Sequence, residues 1–357
     1  MRTVRHLVFL GLVGLVFLLP AHAGEKIALV GWGIDAKNLD TCFKDASAVG
    51  FDALITWSIE PEFLAKAVAA GEAHGVRVYS SLAPMGRFAA LWKKAYPEVP
   101  VPWQQMSEKE QAAETFLAAG KNRFITPYQH GGEPTMATEV LLTKIICMSN
   151  PEAVQLFEQQ LDGILSVKGL AGIGFDGFGY QNYKRCHCPH CEKAFAAYCQ
   201  KHPELPPKDA EETFFRTMLV EYINHLADYA RTKRADAKTT IHIWPVFAPE
   251  PLYGNRLNLD FCGQTTAWFT IWPEEKIAEY AKRITGEEKK YHSRQQGVGM
   301  IGYYNSPGKF PFKSPEQVDL ELRTMIENGC LRIQVCSALH VLRNPDIATV
   351  FTKHFGK

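Results

Sequence analysis

Eight stretches of the chain are apolar at nearly every position. They are KIALVGWG (26–33), DALITWSI (52–59), VRVYSSLAP (76–84), LAGIGFDGFG (170–179), TTIHIWPVF (239–247), LDFCGQTTAW (259–268), VGMIGYYN (298–305) and CLRIQVCSAL (330–339). Continuous rather than alternating hydrophobicity marks strands buried on both faces, as in parallel sheets covered by helices. Between them lie LAKAVAAGEAHG (64–75), PEAVQLFEQQLDGILS (151–166), FFRTMLVEYINHLADYARTKR (214–234), PEEKIAEYAKRI (273–284) and SPEQVDLELRTMIENG (314–329), whose apolar residues recur at helical spacing. Several open on Pro or Ser-Pro and close near Gly, the chemistry that starts and stops helices. Eight strands with intervening helices predict a (β/α)8 TIM barrel; a doubly wound open sheet is the alternative reading of the same alternation. One connection is exceptional. Some 66 residues (85–150) lie between the third strand and the helix that precedes the fourth, including MGRFAALWKKAYPEVPVPWQQ and TPYQHGGEPTM. A long insertion after a barrel strand falls on the face where catalytic loops lie.

The first residues follow another pattern. Arg2 and Arg5 precede an uncharged apolar run, Leu7 to Leu19, after which Pro20 and Ala21-His22-Ala23 supply a break and small residues. This is the layout of a signal peptide, and the run is shorter than the ~20 residues of a membrane span. The expectation is a signal peptide over 1–23, a single barrel domain over 24–357, and a periplasmic or secreted protein not attached to the membrane after cleavage. Removing residues 1–23 takes Lys+Arg from 39 to 37 against 38 Asp+Glu, so the formal charge moves from +1 to −1. A nearly neutral chain has no electrostatic footprint for nucleic acid. No phosphate-binding glycine loop and no nucleophile elbow is present, which disfavours nucleotide-dependent and esterase chemistry.

Nine cysteines in an exported chain would ordinarily suggest disulfides. Cys186-His187-Cys188-Pro189-His190-Cys191 argues otherwise, because thiolates at C-x-C-x-x-C spacing converge on one point, as tetrahedral Zn²⁺ requires. A bridge between Cys186 and Cys188 would be strained. Three sulfurs need a fourth ligand, and His187 and His190 are the local candidates. Cys42, Cys199, Cys262, Cys330 and Cys336 read as small buried apolar residues, with disulfide pairing among these five as the alternative.

The segment from Ile146 to Cys199 resembles the middle of the glycoside hydrolase family forty-two β-galactosidases. In those proteins a cysteine followed by Asn or Ser and Pro precedes a helix, then come the fourth barrel strand and a C-x-C-x-x-C ahead of an aromatic-containing helix. The match covers about fifty residues. It implies a structural zinc held by Cys147, Cys186, Cys188 and Cys191, with a zinc-binding loop after strand four, and a carbohydrate substrate. The chain departs from that family where its chemistry resides. Gly177 and Phe178 stand where the family's Asn-Glu should fall, and the seventh strand ends Tyr303-Tyr304-Asn305-Ser306 without the nucleophilic Glu.

Other carboxylates must therefore carry any glycosidic cleavage, which needs two of them about 5–10 Å apart. Asp35, Glu60, Asp176 and Glu250 follow or end strands one, two, four and five, whereas Asp260 opens strand six and belongs to the stabilising face. Asp176, between Gly174 and Gly177, is the foremost catalytic candidate, with Glu250 as its partner; a strand-four Asp with a strand-five Glu resembles the arrangement in several α-glycosidase barrels. Trp32, Trp57, Tyr180, Trp244, Trp268 and Tyr304 are candidate substrate-binding aromatics, since sugar CH faces stack on such rings. His130, His242 and His340 are candidates for polar contacts. The sequence thus predicts an exported glycoside hydrolase-like enzyme using Asp176 with Glu250. Its alternatives are a catalytically inactive carbohydrate-binding barrel and a hydrolase with a metal at the mouth held by Asp35, His130, Asp176 and His242.

Overall fold

The computed structural model describes residues 27–108, 145–180, 185–243, 256–268, 271–286, 296–304 and 313–356, together with the backbone of 124–130 and 133–140. Eight parallel strands close into a barrel: β1 (Ala28–Trp32), β2 (Phe51–Thr56), β3 (Arg77–Leu82), then, after an antiparallel hairpin of β4 (Phe124–His130) and β5 (Glu133–Val140), β6 (Gly172–Asp176), β7 (Lys238–Ile243), β8 (Phe261–Ala267), β9 (Gln296–Gly302) and β10 (Arg332–Cys336). All eight apolar runs became barrel strands in sequence order. The ring is sealed by β1 pairing with β10, Ala28 opposite Arg332 through Trp32 opposite Cys336. The fourth barrel strand is β6, and its last residue is Asp176.

Helices α1 (Leu39–Val49), α2 (Pro61–His74), α3 (Gly86–Ala95), α4 (Pro151–Leu165), α5 (Pro189–Lys201), α6 (Pro207–Lys233), α7 (Glu274–Gly286), α8 (Pro315–Glu327), α9 (Ala338–Leu342) and α10 (Pro345–Phe355) follow the strands. Three of them begin with an Asn or Ser cap followed by Pro. Asn150, Ser314 and Asn344 accept from the amides of Ala153, Gln317 and Ile347, and Pro at the next position has no N–H to leave unpaired. No described helix is long and apolar enough to cross a membrane.

Alternation along the strands divides the apolar residues into two layers. Val30, Trp32, Ala53, Ile55, Tyr79 and Met300 pack inside the barrel, and a larger cluster fills the space between strands and helices. Both layers contain polar groups with defined partners. Glu321 and Lys313, both buried, meet at 2.7 Å, and Lys313 also donates to the carbonyl of Trp268 at the end of β8. Burial raises the Glu321 carboxyl and lowers the Lys313 ammonium, so each depends on the other to remain charged.

The long connection after β3 holds α3 and the hairpin. Its two ends are stitched together: Gln104 N donates to Ile145 O (2.8 Å), and Cys147 N donates to Pro102 O (2.7 Å). The returning strand is also fixed to the barrel, since Ile146 N donates to Pro84 O (2.9 Å).

At the opposite end of the barrel, Asp260 clamps β7 to β8, as expected for an acid that opens strand six. Its carboxylate accepts from Thr239 N (2.9 Å), Thr239 Oγ1 (3.0 Å) and Lys238 Nζ (3.2 Å). Burial alone would raise this carboxyl, but the donors from Thr239 and Lys238 outweigh it and hold the pKa below the ordinary value. A depressed folded-state pKa contributes stability above the unfolded value and loses it as the pH falls. Asp260→Asn is therefore expected to cost about 1.5–3 kcal/mol at pH 7. In denaturant titrations the gap from wild type should narrow below about pH 4; a gap that does not change with pH would contradict this role.

Candidate functional site

The C-terminal ends of β2, β3 and β6 frame a cavity of about 310 Å³ lined by Trp57, Ser81, Met85, Arg87, Phe88 and Asp176 among others. Its size suits a single sugar-sized ring. Among the described residues that line it, Asp176 is the only carboxylate and Arg87 the only cation.

Local geometry explains how Asp176 reaches the opening. It is the final residue of β6, and Gly177, which follows it, adopts φ +66°, a left-handed conformation that lets the chain turn away. A side chain at Gly177 would also meet Met85, whose Cε lies 1.6 Å from where a Cβ would stand. Gly174, two residues earlier on the same face, leaves room for the indole of Trp32, which lies 3.1 Å from an added Cβ. Gly177 thus lets the chain turn away beside the carboxylate, and Gly174 makes room for Trp32 beneath it.

Each oxygen of Asp176 faces a ring nitrogen. Trp57 Nε1 donates to Oδ2 at 3.3 Å, and His242 Nδ1 lies 3.5 Å from Oδ1. His242 is brought there by strand register, since it pairs with Asp176 across β6 and β7. Arg87, in the first turn of α3, donates to the Trp57 carbonyl and so fixes the residue whose indole reaches the carboxylate.

The other sequence candidates separate clearly. Trp57 is 39% exposed and lines the cavity. Trp32 is 1% exposed in the barrel core, where its indole donates to Gln334 Oε1 at 3.0 Å. Tyr180 is buried and donates to the Phe215 carbonyl (2.8 Å), with its ring edge-on to Phe215. Trp268 is buried beside His242, their centroids 5.7 Å apart. Tyr304 packs its ring 3.9 Å from that of His340. Asp35, at the rim, pairs with Arg343 at 3.0 Å, and its carboxyl is lowered chiefly by the amide of Lys37, with Arg343 adding to the effect. Glu60 stands at the N-terminus of α2. Glu250, Trp244 and the side chain of His130 lie outside the described residues. Met85, Arg87 and Phe88 were not singled out from the sequence. They belong to the turn and helix after β3, and only the spatial approach of α3 to β6 gives them a place here.

The four cysteines that the family resemblance implied do come together. Cys147, Cys186, Cys188 and Cys191 are buried, and their sulfurs all lie within 4.8 Å of one another. Cys147 Sγ is 3.4 Å from Cys188 Sγ and 3.7 Å from Cys191 Sγ. A tetrahedron with ~2.3 Å metal–sulfur bonds has edges of about 3.8 Å, so the four thiols fit one tetrahedral cation. No cysteine of the chain is in a disulfide. Hydrogen bonding within the cluster splits the thiols: Cys186, first among its neighbours, holds Cys147 far above the ordinary value, while Cys147 holds Cys188 far below it. Gln105 N and Cys188 N each donate to Cys186 Sγ at 3.4 Å, and Ser149 Oγ shares a hydrogen bond with Cys191 Sγ at 3.1 Å. Such contacts orient ligands and stabilise thiolates.

No family model matches the sequence, and no curated protein matches it. Solved structures match its fold. The glycoside hydrolase domain of PgaB (BpsB) from Bordetella bronchiseptica is similar at 12% identity over 93% of this chain and 99% of that one, with a TM-score of 0.59. A β-galactosidase from the psychrophilic Marinomonas ef1 is similar at 10% identity over 92% of this chain and 58% of that one, TM-score 0.57. The α-L-fucosidase isoenzyme 2 of Paenibacillus thiaminolyticus is similar at 13% identity over 93% of this chain and 48% of that one, TM-score 0.56. The chain spans about half the length of these last two. The fold is thus a (β/α)8 barrel of the kind that glycoside hydrolases use.

Proposed function

We propose that this chain is a carbohydrate-active barrel that cleaves glycosidic bonds, with Asp176 as the ionised carboxylate at the reacting carbon and Glu250 as its proton-donating partner. The observation that carries this reading is the placement of Asp176: at the end of the fourth barrel strand, in a sugar-sized cavity, with the N–H of an exposed tryptophan on one oxygen and the His242 ring 3.5 Å from the other. Donors directed at a carboxylate favour its charged form. Asp176 is therefore suited to stabilise or trap the positive charge that develops at the anomeric carbon. The complementary role, giving a proton to the departing oxygen, falls to the strand-five acid. Trp57 offers its ring to the apolar face of a sugar.

Asp176→Asn should abolish turnover of whichever 4-nitrophenyl glycoside or polysaccharide the wild type hydrolyses, with the thermal midpoint nearly unchanged; unaltered turnover would reject the assignment. A second reading, a barrel that binds glycans without cleaving them, is favoured by the single carboxylate among the described lining residues. It predicts calorimetric binding of a glycan that Asp176→Asn weakens, with no bond cleaved by wild type.

We further propose that the four-cysteine site holds zinc as a structural ion, the metal that four thiolates at tetrahedral spacing select. Metal analysis of protein purified without added zinc should find one equivalent, and Cys188→Ser should lose it together with thermal stability. Metal-free wild type of unchanged stability would sink the proposal. Export completes the reading, supported by the charged start, the apolar run and the small residues ahead of Gly24. Protein recovered from the producing organism should then begin at Gly24, and an intact Met1 on a cytoplasmic product would refute export.

A further inference from the structure

We propose that His242 is the positioning residue for Asp176, its Nδ1–H directed at Oδ1 so that the carboxylate is held charged and turned to the cavity. The proposal rests on the assignment of Asp176 above and adds a residue whose role nothing in the sequence pattern distinguished from a polar core contact.

The ring has little freedom to do anything else. His242 is 6% exposed and lies between the indoles of Trp32 and Trp268, with centroids 5.9 and 5.7 Å away. Its two nitrogens have unlike surroundings. Nδ1 faces Asp176 at 3.5 Å, whereas Nε2 is buried and has no hydrogen-bond partner among the described residues. In the neutral ring one nitrogen carries a proton and the other a lone pair, and the partner of one decides the state of both. A proton on Nε2 would bury a donor with no acceptor and turn the Nδ1 lone pair toward a carboxylate. A proton on Nδ1 replaces that repulsion with an attraction and leaves Nε2 as an unpaired acceptor in place of an unpaired donor. The neutral ring therefore carries its proton on Nδ1. Trp57 on the other oxygen completes a two-donor cradle, and a carboxylate held at both oxygens cannot rotate away from the reacting carbon.

The titratable group facing Asp176 from β10 is Cys336. Burial first, and the charge of Asp176 second, keep its thiol protonated, so it adds no competing negative charge at neutral pH. Substrate arriving at the cavity would meet a carboxylate whose charge and orientation are already set.

Two measurements on the full chain test this, and the first needs no substrate. Long-range ¹⁵N–¹H correlation of histidine-labelled protein at pH 8 should show the His242 ring protonated on Nδ1, and Asp176→Asn should shift both ring nitrogens. An Nε2-protonated ring, or resonances indifferent to Asp176→Asn, overturns the proposal even if glycoside hydrolysis is established. If no glycoside is cleaved the hydrolase reading fails, and this measurement still decides the contact.

The second uses the 4-nitrophenyl glycoside that wild type hydrolyses. Asn can place its amide N–H where Nδ1 stands, and Gln cannot. His242→Gln should lower kcat about ten- to hundredfold, the loss of one hydrogen bond to a charged group, with little change in KM. It should also move the acid limb of the kcat/KM profile to higher pH, while His242→Asn restores much of both. Equal losses in the two variants, or an acid limb that stays put, would mean that His242 only fills space.

Discussion

A single indole closes the barrel beneath the candidate site, and the arrangement above it depends on that closure. Trp32 donates to Gln334, and Gln334 Nε2 donates in turn to Thr240 Oγ1 at 2.6 Å, a chain that ties the first, eighth and fifth barrel strands across the interior. The ring fits because Gly174 has no side chain. Trp57 and His242, the two residues whose nitrogens face Asp176, both pack near it, with centroids 6.4 and 5.9 Å away. A smaller residue at position 32 would leave a void on which neither could rest in a fixed orientation. Hydrogen bonds within a polar interior of this kind tie strand to strand and fix its geometry where they are made.

The four-cysteine cluster acts on the same region from outside the barrel. It joins the chain just before α4 to the loop that follows β6 and the start of α5. Gln104 Nε2 donates to Gly179 O at 2.8 Å, and His187 N donates to Gln105 O at 2.7 Å, so the outgoing part of the connection after β3, the cysteine loop and the segment after Asp176 form one hydrogen-bonded unit. Arg185 lies between the rings of Phe195 and Phe215 and pairs with Glu192 and Glu211, extending that unit to α5 and α6. The segments after β3 and β6 therefore do not rely on loop packing alone.

The barrel was legible because burial on two faces leaves an unmistakable run of apolar residues, and every barrel strand obeyed it, whereas the mixed residues of the β4–β5 hairpin gave no such signal. Helices were read less completely. In α10, Ile347, Phe351 and Phe355 form a clean stripe of only three residues, and α1 buries just Cys42, Phe43, Ala46 and Val49. Both stripes are too short to stand out beside the longer helices. The start of α6 at Pro207 lay hidden because its first turns, PKDAEET, bury only Ala210. At the site, Asp176 could be found because it ends a strand between glycines. His242 was visible only as one polar residue in an apolar strand, because sequence records neither strand register nor which nitrogen faces a neighbour. Aromatic residues near strand ends were the least informative: Trp32 and Trp57 both lie near such ends, yet one is core and the other open.

The long connection after β3 shows how such a scaffold can vary without refolding. Its outgoing and returning strands are hydrogen-bonded to each other at Gln104 and Ile145, and anchored by Pro84, before the intervening residues begin. The entropy of bringing the two ends together is thus met by the barrel and not by what lies between, and it grows only slowly with length. A segment grafted between such fixed ends inherits a ready-made junction, so length and sequence there are free to diverge while the framework that carries Asp176 stays the same.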